Sequence, residues 1–569
     1  MRSIRSLVLA ASIAAASPVI ALAQPAPADR HRQVDAIFAP WSQPGAPGCA
    51  VGISRDGALD YARGYGMSNL EYDLPIAADS VFQSASISKQ FTAFAIGLLA
   101  QEGRLSLDDD IRRYVPEIPD HGKTITLAHL IHHTGGLREQ GQLLNLAGWR
   151  GDDLYTEADI LWALSRQRRA NFAAGSEVVY GNAAYTLLGI VVQRVSGQSL
   201  RAFADARIFQ PLGMADTQFR DDHTQVMARR ASAYSPREGG GWRISVPNID
   251  HYGSTSLHTS VGDLLKWQQN LIDARVGGRT LIDWMQTSGK LDDGTLTQYG
   301  AGLRLAGYRG LRMISHDGAD GGYRSDMLLF PDQRVAIAVL CNGSPIAPDQ
   351  LTRKIAELYL GDRMTAPALA PAVARSDADP ASLAGVYWSR QTDEVVRLEF
   401  KDGALRQVGV PAAFVPIGGN DFRPGEQAQH WRFVPATNAM PAQLHIKDFW
   451  PTARSFVRVD SALPDATALA AFAGRYRSED TDMTYTVRAV DGKLVLSWPR
   501  QFEVALEAVG GERFVGSRGL VTFVRNADGG VDGFTISNRR LRRLQALRIA
   551  ATDTAQSLPS QATGATAQR

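Results

Sequence analysis

The sequence predicts an α/β (α+β) domain, an antiparallel sheet with flanking helices and a helical subdomain, followed by two small antiparallel β-barrels. Three observations carry this. Strand signals stand at both ends of the region before about residue 365, with helical periodicity between them. Helical periodicity nearly vanishes after that point. Beyond it, Leu383-Ala-Gly-Val-Tyr387 returns as Phe472-Ala-Gly-Arg-Tyr476, and the turn Asp402-Gly403 returns as Asp491-Gly492, at the same offset of 89 residues.

In chain order, residues 1–23 read as a secretory signal peptide: Arg2 and Arg5 start it, Leu7 to Ile20 are mainly apolar, and Ala21-Leu22-Ala23 offers a small-x-small cleavage pattern. Ser12, Ser17 and Pro18 break the apolar run, and no later segment reaches about 18 uninterrupted apolar residues, so no stable membrane span is expected. The mature protein is expected to be periplasmic or secreted.

The large domain runs from 24 to 365. Apolar residues flanking Arg55-Asp56-Gly57 signal a hairpin over about 48–64. Phe91, Phe94, Ala95, Leu98 and Leu99 give a helix over 86–101, stopped by Gly103. Leu187, Leu188, Val191 and Val195 give another over 183–195, stopped by Gly197. Ser260 caps a helix through Trp267 and Leu271. Strands return over 312–341 around Pro331-Asp332, and 349–360 closes the domain as a helix. Residues 366–379 form an Ala/Pro-rich linker, 380–462 and 466–550 the two lipocalin-like barrels, and 551–569 a disordered tail.

Composition excludes several functions. Of 569 residues 44% are hydrophobic and 21% charged, with 60 Lys+Arg against 58 Asp+Glu. Removing Arg2 and Arg5 with the leader leaves a neutral chain, without a general pull toward nucleic acid or anionic membrane. With only Cys49 and Cys341, no cysteine metal cluster can be built. Export permits a disulfide between them if their strands are antiparallel neighbours; two separately buried thiols fit equally well.

The chemistry begins at Ser86-Ile87-Ser88-Lys89. On a helix, residues three apart share a face, and a desolvated neutral lysine can take a serine's proton. Of eight lysines, Lys89 is the only one with serine three residues before it, and Ser84 and Ser88 lack that spacing. Tyr180-Gly181-Asn182 precedes the second helix. A phenol beside a lysine, its pKa lowered, can relay a proton to a leaving group, and Asn182 can hold a substrate amide. His316-Asp317-Gly318-Ala319 ends an apolar strand, where Gly318 lets a ligand approach and the Ala319 N–H can complete an oxyanion hole with that of Ser86.

Together Phe82 to Phe91, Asp108 to Ile111, His129 to Leu137, Tyr180 to Gly189 and His316 to Gly322 resemble the penicillin-recognising serine hydrolases over roughly residues 35–362. These are serine β-lactamases, D,D-peptidases, D-aminopeptidases and related esterases. The resemblance implies a serine β-lactamase-like fold and an acyl-enzyme mechanism without cofactor or metal. Ser86 attacks, Lys89 and Tyr180 move protons, His316 assists binding or transition-state charge, and Asn182, Asp317, Gly318 and Ala319 bind a small peptide, amide or ester. Two barrels behind such a domain look most like the three-domain D-aminopeptidases, in which a loop of the last barrel helps bind the substrate's free amine. The sequence does not reveal that loop residue.

Two departures stand out. His316-Asp317-Gly318 replaces the family's frequent Lys-Thr-Gly, and Asp317 either favours a cationic amine or points away. Thr134-Gly135-Gly136 stands where many relatives have Thr-Ser-Gly. A D-aminopeptidase is therefore the leading expectation; an esterase, a D,D-carboxypeptidase or a β-lactamase follows. A ligand-binding relative without catalysis is the rival class, and retention of nucleophile, base and hole glycine speaks against it. The oligomeric state is not readable.

Other signals have plainer readings. His129, His132 and His133 have ligand-like spacing but no acidic third ligand in the segment. Arg539, Arg540, Arg542, Arg543 and Arg548 alternate with leucines as a closing strand with a solvated edge would. Trp388, Trp431, Trp450 and Trp498 fit barrel core or rim.

Overall fold

The computed structural model describes residues 27–366, 372–373, 375–425, 429–460, 464–501 and 503–550. The residues expected to form a signal peptide, the expected tail and part of the expected linker lie outside the described residues. Helix α1 (Pro27–Phe38) has no counterpart among the sequence expectations. Among its described side chains Val34 and Phe38 are the fully buried apolar ones, too thin a stripe to stand out as a period.

Strands β1 (Cys49–Arg55) and β2 (Ala58–Tyr65) form the expected hairpin. Asp56 and Gly57 both take positive φ, 51° and 81°, as a two-residue hairpin turn requires. Helix α2 (Ser88–Gln101) follows a 3-10 turn over Ala85–Ile87, so Ser86 sits one turn ahead of the helix rather than inside it. Next come α3 (Gln140–Leu146), α4 (Asn182–Ser196) ending at a left-handed Gly197, the short strand β3 (Leu257–Thr259), and α5 (Val261–Asp273). The Ser260 hydroxyl accepts from the Asp263 N–H and caps α5 as expected. Strands β4 (Arg304–Tyr308), β5 (Leu311–Asp320), β6 (Tyr323–Phe330) and β7 (Val335–Cys341) lead into α6 (Pro348–Leu360).

These strands form one antiparallel sheet in the order β4-β5-β6-β7-β1-β2. Both faces are covered, which is why β1 and β7 read as continuous apolar runs rather than alternations. Val51, Ile53, Leu328 and Ile337 face α1 and α6, while Ala50, Met327, Ala338 and Leu340 face the core that holds α2 and α5. Gly52 lets α5 lie close, since a Cβ there would stand 3.1 Å from Leu265 and Val261.

Cys49 and Cys341 are direct cross-strand partners on β1 and β7, and they form a disulfide. It joins residues 292 apart, so it restricts the unfolded chain strongly. Replacing both cysteines by serine should lower the unfolding free energy by about 3–5 kcal/mol, read as a lower urea midpoint.

Beyond the linker stand two eight-stranded antiparallel barrels. The second is closed; the first is joined at its ends by the bridge Arg406–Ala413. The repeat is structural: Tyr387 Oη donates to the Leu383 carbonyl at 3.0 Å, and Tyr476 Oη to the Phe472 carbonyl at 2.7 Å. Arg458 and Arg548 each donate to two carbonyls of the matching segments, Ser382 and Ala384 in one and Ala471 and Ala473 in the other.

The second barrel docks on the large domain. Tyr485 Oη and the Trp498 indole donate to the carbonyls of Leu146 and Asn145 at the end of α3. Arg138, 1% exposed, pairs with Asp480 at 2.7 Å and donates to the Arg542 and Arg543 carbonyls. This corrects the solvated-edge reading of the basic run: Arg542 is buried against Glu177. Strand alternation cannot reveal that the polar face is docked. Trp431 and Trp498 are buried in their barrels, Trp388 lies under Arg513, and Trp450 faces Tyr299 of the large domain. Among the described residues no helix is long and apolar enough to cross a membrane.

Candidate active site

Between Val81 and Leu99 every residue is buried except Ser86. The turn that exposes it is held from several sides. The Ser84 N–H and hydroxyl donate to the Leu257 carbonyl on β3, Ser325 Oγ on β6 donates to the Ser84 carbonyl, and the Leu257 N–H donates to Ser88 Oγ. So fixed, Ala85 keeps φ at +49°, a costly region for a residue with a Cβ. Strand β5 passes beside this turn at Gly318, where a Cβ would stand 2.3 Å from the Ser84 carbonyl oxygen. The glycine expected to admit a ligand therefore admits the nucleophile turn itself.

Lys89 is fully buried, one turn along from Ser86. Its Nζ donates to Ser86 Oγ at 3.0 Å, to Asn182 Oδ1 at 2.8 Å and to the Ser254 carbonyl at 2.7 Å. Loss of water around the amine pulls its pKa down to about 7, against the opposing field of Glu139. At neutral pH a large fraction is the free base, with its lone pair beside a hydroxyl.

Glu139 has no sequence signal of its own. It accepts from the Asn182 N–H at 2.7 Å and from Asn182 Nδ2 at 3.0 Å. Asn182 was expected to hold a substrate amide; instead both ends of its side chain are engaged, and it links Glu139 to Lys89. Replacing Glu139 by glutamine removes the charge that supports the protonated amine. The acid limb of the pH–activity profile should then move to lower pH, measured as kcat/KM against pH.

Tyr180 Oη is buried with no hydrogen-bond partner and faces the Ser86 hydroxyl, which lowers its pKa only partly against burial. Lys89 Nζ lies 5.0 Å from the ring centroid and His133 packs at 4.3 Å. Proximity to lysine was expected to lower the phenol's pKa; burial raises it instead. Tyr180 therefore keeps its proton at neutral pH and is suited to donate it.

His316 is buried on β5. Its Nδ1 is 2.7 Å from the Asp317 carbonyl and its Nε2 is 2.9 Å from Tyr299 Oη, so the ring carries its proton on Nδ1 and accepts from the tyrosine. Burial and Arg304 push its pKa down to about 3, so it stays neutral. Asp317 turns to Arg304 at 2.8 Å and offers no open charge to an amine. Ala319 lies exposed on the same strand, past the end of the β4 pairing.

The three histidines do not converge: His129 accepts from the Thr126 N–H, His132 donates to the Tyr299 carbonyl, and His133 packs on Tyr180. Metal-ligand atoms do converge at Asp222, His223 and Asp250. There His223 already bonds Asp250 at 2.8 Å, and Asp222 Oδ1 accepts from Thr224.

The barrels complete the rim. Phe449 and Trp450 of the first lie against Arg304 and Tyr299. From the second, the turn between β8 (Val531–Asn538) and β9 (Leu541–Ile549) brings Arg540 to 5.3 Å from the Tyr180 ring. A turn of the last barrel thus reaches the site, and the sequence alone does not show which one.

A half-exposed serine against a buried lysine that is partly the free base at neutral pH, with a protonated phenol beside them, can form and break an ester at the serine. Comparisons agree. The family model described as Beta-lactamase matches residues 31–362. A D-aminopeptidase of Gluconobacter oxydans (strain 621H) is 26% identical over 367 residues, covering 64% of this chain and 68% of that protein. A D-aminopeptidase of Brucella anthropi is 25% identical over 296 residues, covering 52% of this chain and 56% of that protein. The chain thus spans from about two thirds down to just over half of these relatives' own length. The octameric penicillin-binding protein homologue from Pyrococcus abyssi superimposes with a TM-score of 0.55 at 23% identity, covering 75% of this chain and 99% of that one, a likeness of fold. The family match spans more than half of the chain and contains every residue around Ser86 except those the barrels add: this protein is a serine hydrolase of the beta-lactamase family.

Proposed function

We propose that the protein is an exported hydrolase that forms an acyl-enzyme on Ser86 and acts on D-amino-acid peptides or amides in the manner of a D-aminopeptidase. The observation that carries the mechanism is the 3.0 Å contact between Ser86 Oγ and Lys89, whose pKa lies at about 7. Neutral Lys89 takes the hydroxyl proton as Oγ bonds to the substrate carbonyl carbon. The oxyanion faces the N–H groups of Ser86 and Ala319. As the bond to the leaving group breaks, the Tyr180 phenol gives its proton to the departing atom, and the proton that Lys89 took from Ser86 restores the phenol. Water then attacks the ester, with the same groups running in reverse, and frees Ser86. Neutral His316 and Asn182 hold the constellation in place.

The D-amino-acid reading is supported by the two relatives' names and by the two barrels behind the catalytic domain. Export is supported by the leader motif and by the disulfide, a bond of oxidising compartments. The test is hydrolysis of D-alanine p-nitroanilide beside its L-enantiomer. D-selective release is the expected result. Release from neither, with hydrolysis of p-nitrophenyl esters, would place the protein among the esterases or carboxypeptidases. Failure of an activated acyl donor to label Ser86 would turn it into a binding protein.

A further inference from the structure

We propose that Arg540 recognises a carboxylate on the leaving-group side of the substrate, so that the second barrel selects anionic rather than amine-bearing leaving groups. The inference rests on the reading above, in which Ser86 is acylated and Tyr180 serves the leaving group.

The backbone that carries Arg540 is firmly held. Its carbonyl accepts from the Glu139 N–H at 3.1 Å and from Asn171 Nδ2 at 2.9 Å, and its own N–H donates to Asn538 Oδ1 at 3.0 Å. Two residues on, Arg542 donates its N–H to Asn171 Oδ1 and closes both ends of Glu177 with its guanidinium. The backbone that orders Glu139 is therefore the backbone that presents Arg540.

Charge accounting singles the residue out. Around the site Arg304 pairs with Asp317 at 2.8 Å, Arg539 with Asp448 at 3.3 Å, and Arg454 with Glu394 at 2.8 Å. Lys89 has Glu139 through Asn182. Arg540 alone in this set has no carboxylate partner among the described residues. It is half-buried against the face of Tyr180, the side chain whose phenol addresses the leaving atom. A guanidinium with its donor fork open, packed on an aromatic ring, matches a planar carboxylate and repels an ammonium group. A leaving group that is itself an amino acid or a hydroxy acid carries that carboxylate within a few bonds of the scissile position.

The test uses two acetyl esters that differ by one carboxylate on the leaving group, those of 4-nitrophenol and 5-hydroxy-2-nitrobenzoic acid. Full-length wild type should prefer the carboxylated ester by about 10- to 100-fold in kcat/KM, corrected for their spontaneous rates. In Arg540→Gln the preference should fall to about one, and in Arg540→Glu it should invert. The ratio is taken within each protein, so a variant that merely loosens the site lowers both rates together. An equal ratio in wild type and Arg540→Gln, or a wild-type preference for the neutral ester, overturns the inference and leaves the acyl-enzyme standing. Absence of any hydrolysis that Ser86→Ala abolishes overturns the reading beneath it, and the inference with it.

Discussion

Replacing Ser86 by alanine is expected to lower kcat/KM by about 10^4- to 10^6-fold while the protein melts within a few degrees of wild type. The rate loss follows from chemistry, because among the described residues no other hydroxyl is both exposed and in contact with Lys89. Ser88 Oγ is spent on the Ala85 carbonyl at 2.5 Å, and Ser84 Oγ on the Leu257 carbonyl at 3.1 Å. The small stability change follows from packing. Ser86 is the half-exposed member of a buried stretch, and its hydroxyl supports no strand, cap or core contact. Hydrolysis of an activated ester and thermal unfolding of the same preparation check both halves. A variant with wild-type activity would require a different nucleophile.

Lys89→Met should cost about 10^3- to 10^4-fold in kcat, with a second signature in pH. In wild type the amine must be neutral to take a proton, so activity rises with pH through about 7 and levels above it. The methionine variant should lose that limb along with its rate. Stability carries the opposite mark of the same group. A lysine whose folded pKa is lowered is protonated more readily in the unfolded chain, so between pH 7 and its ordinary value the unfolded state binds more protons. Wild type should therefore gain stability as pH rises across that window, and Lys89→Met should show a flatter profile. Urea midpoints at pH 7 and pH 9 separate the two.

Local signals were the legible ones. Asp56-Gly57 names its turn, Gly197 its helix end, and Ser86 with Lys89 one helical turn of spacing. The barrel repeat is legible because Leu383, Gly385 and Tyr387 do local work that Phe472, Gly474 and Tyr476 repeat, a tyrosine bonding a carbonyl four residues earlier. What escaped depends on contacts distant along the chain. Glu139 acquires meaning only when Asn182 folds onto it, and Arg540 only when the barrel docks. Ser254 contributes a carbonyl, which every residue has. Tyr180 was misjudged because the sequence shows the neighbouring lysine but not the depth of burial that outweighs it. The docked arginines were misjudged for a related reason: alternation reports two faces of a strand, not what lies against each.

The hydrophobic interior divides differently from the chain. Residues of the catalytic domain and of the second barrel, from Leu469 to Ala546, belong to one continuous core, while the first barrel keeps a separate core around Tyr387, Phe433 and Phe456. The unit that lies between them in sequence is thus outside their shared interior. Cooperativity skips a neighbour. The first barrel can open as an independent foldon without exposing the catalytic core, whereas opening the second uncovers that core directly.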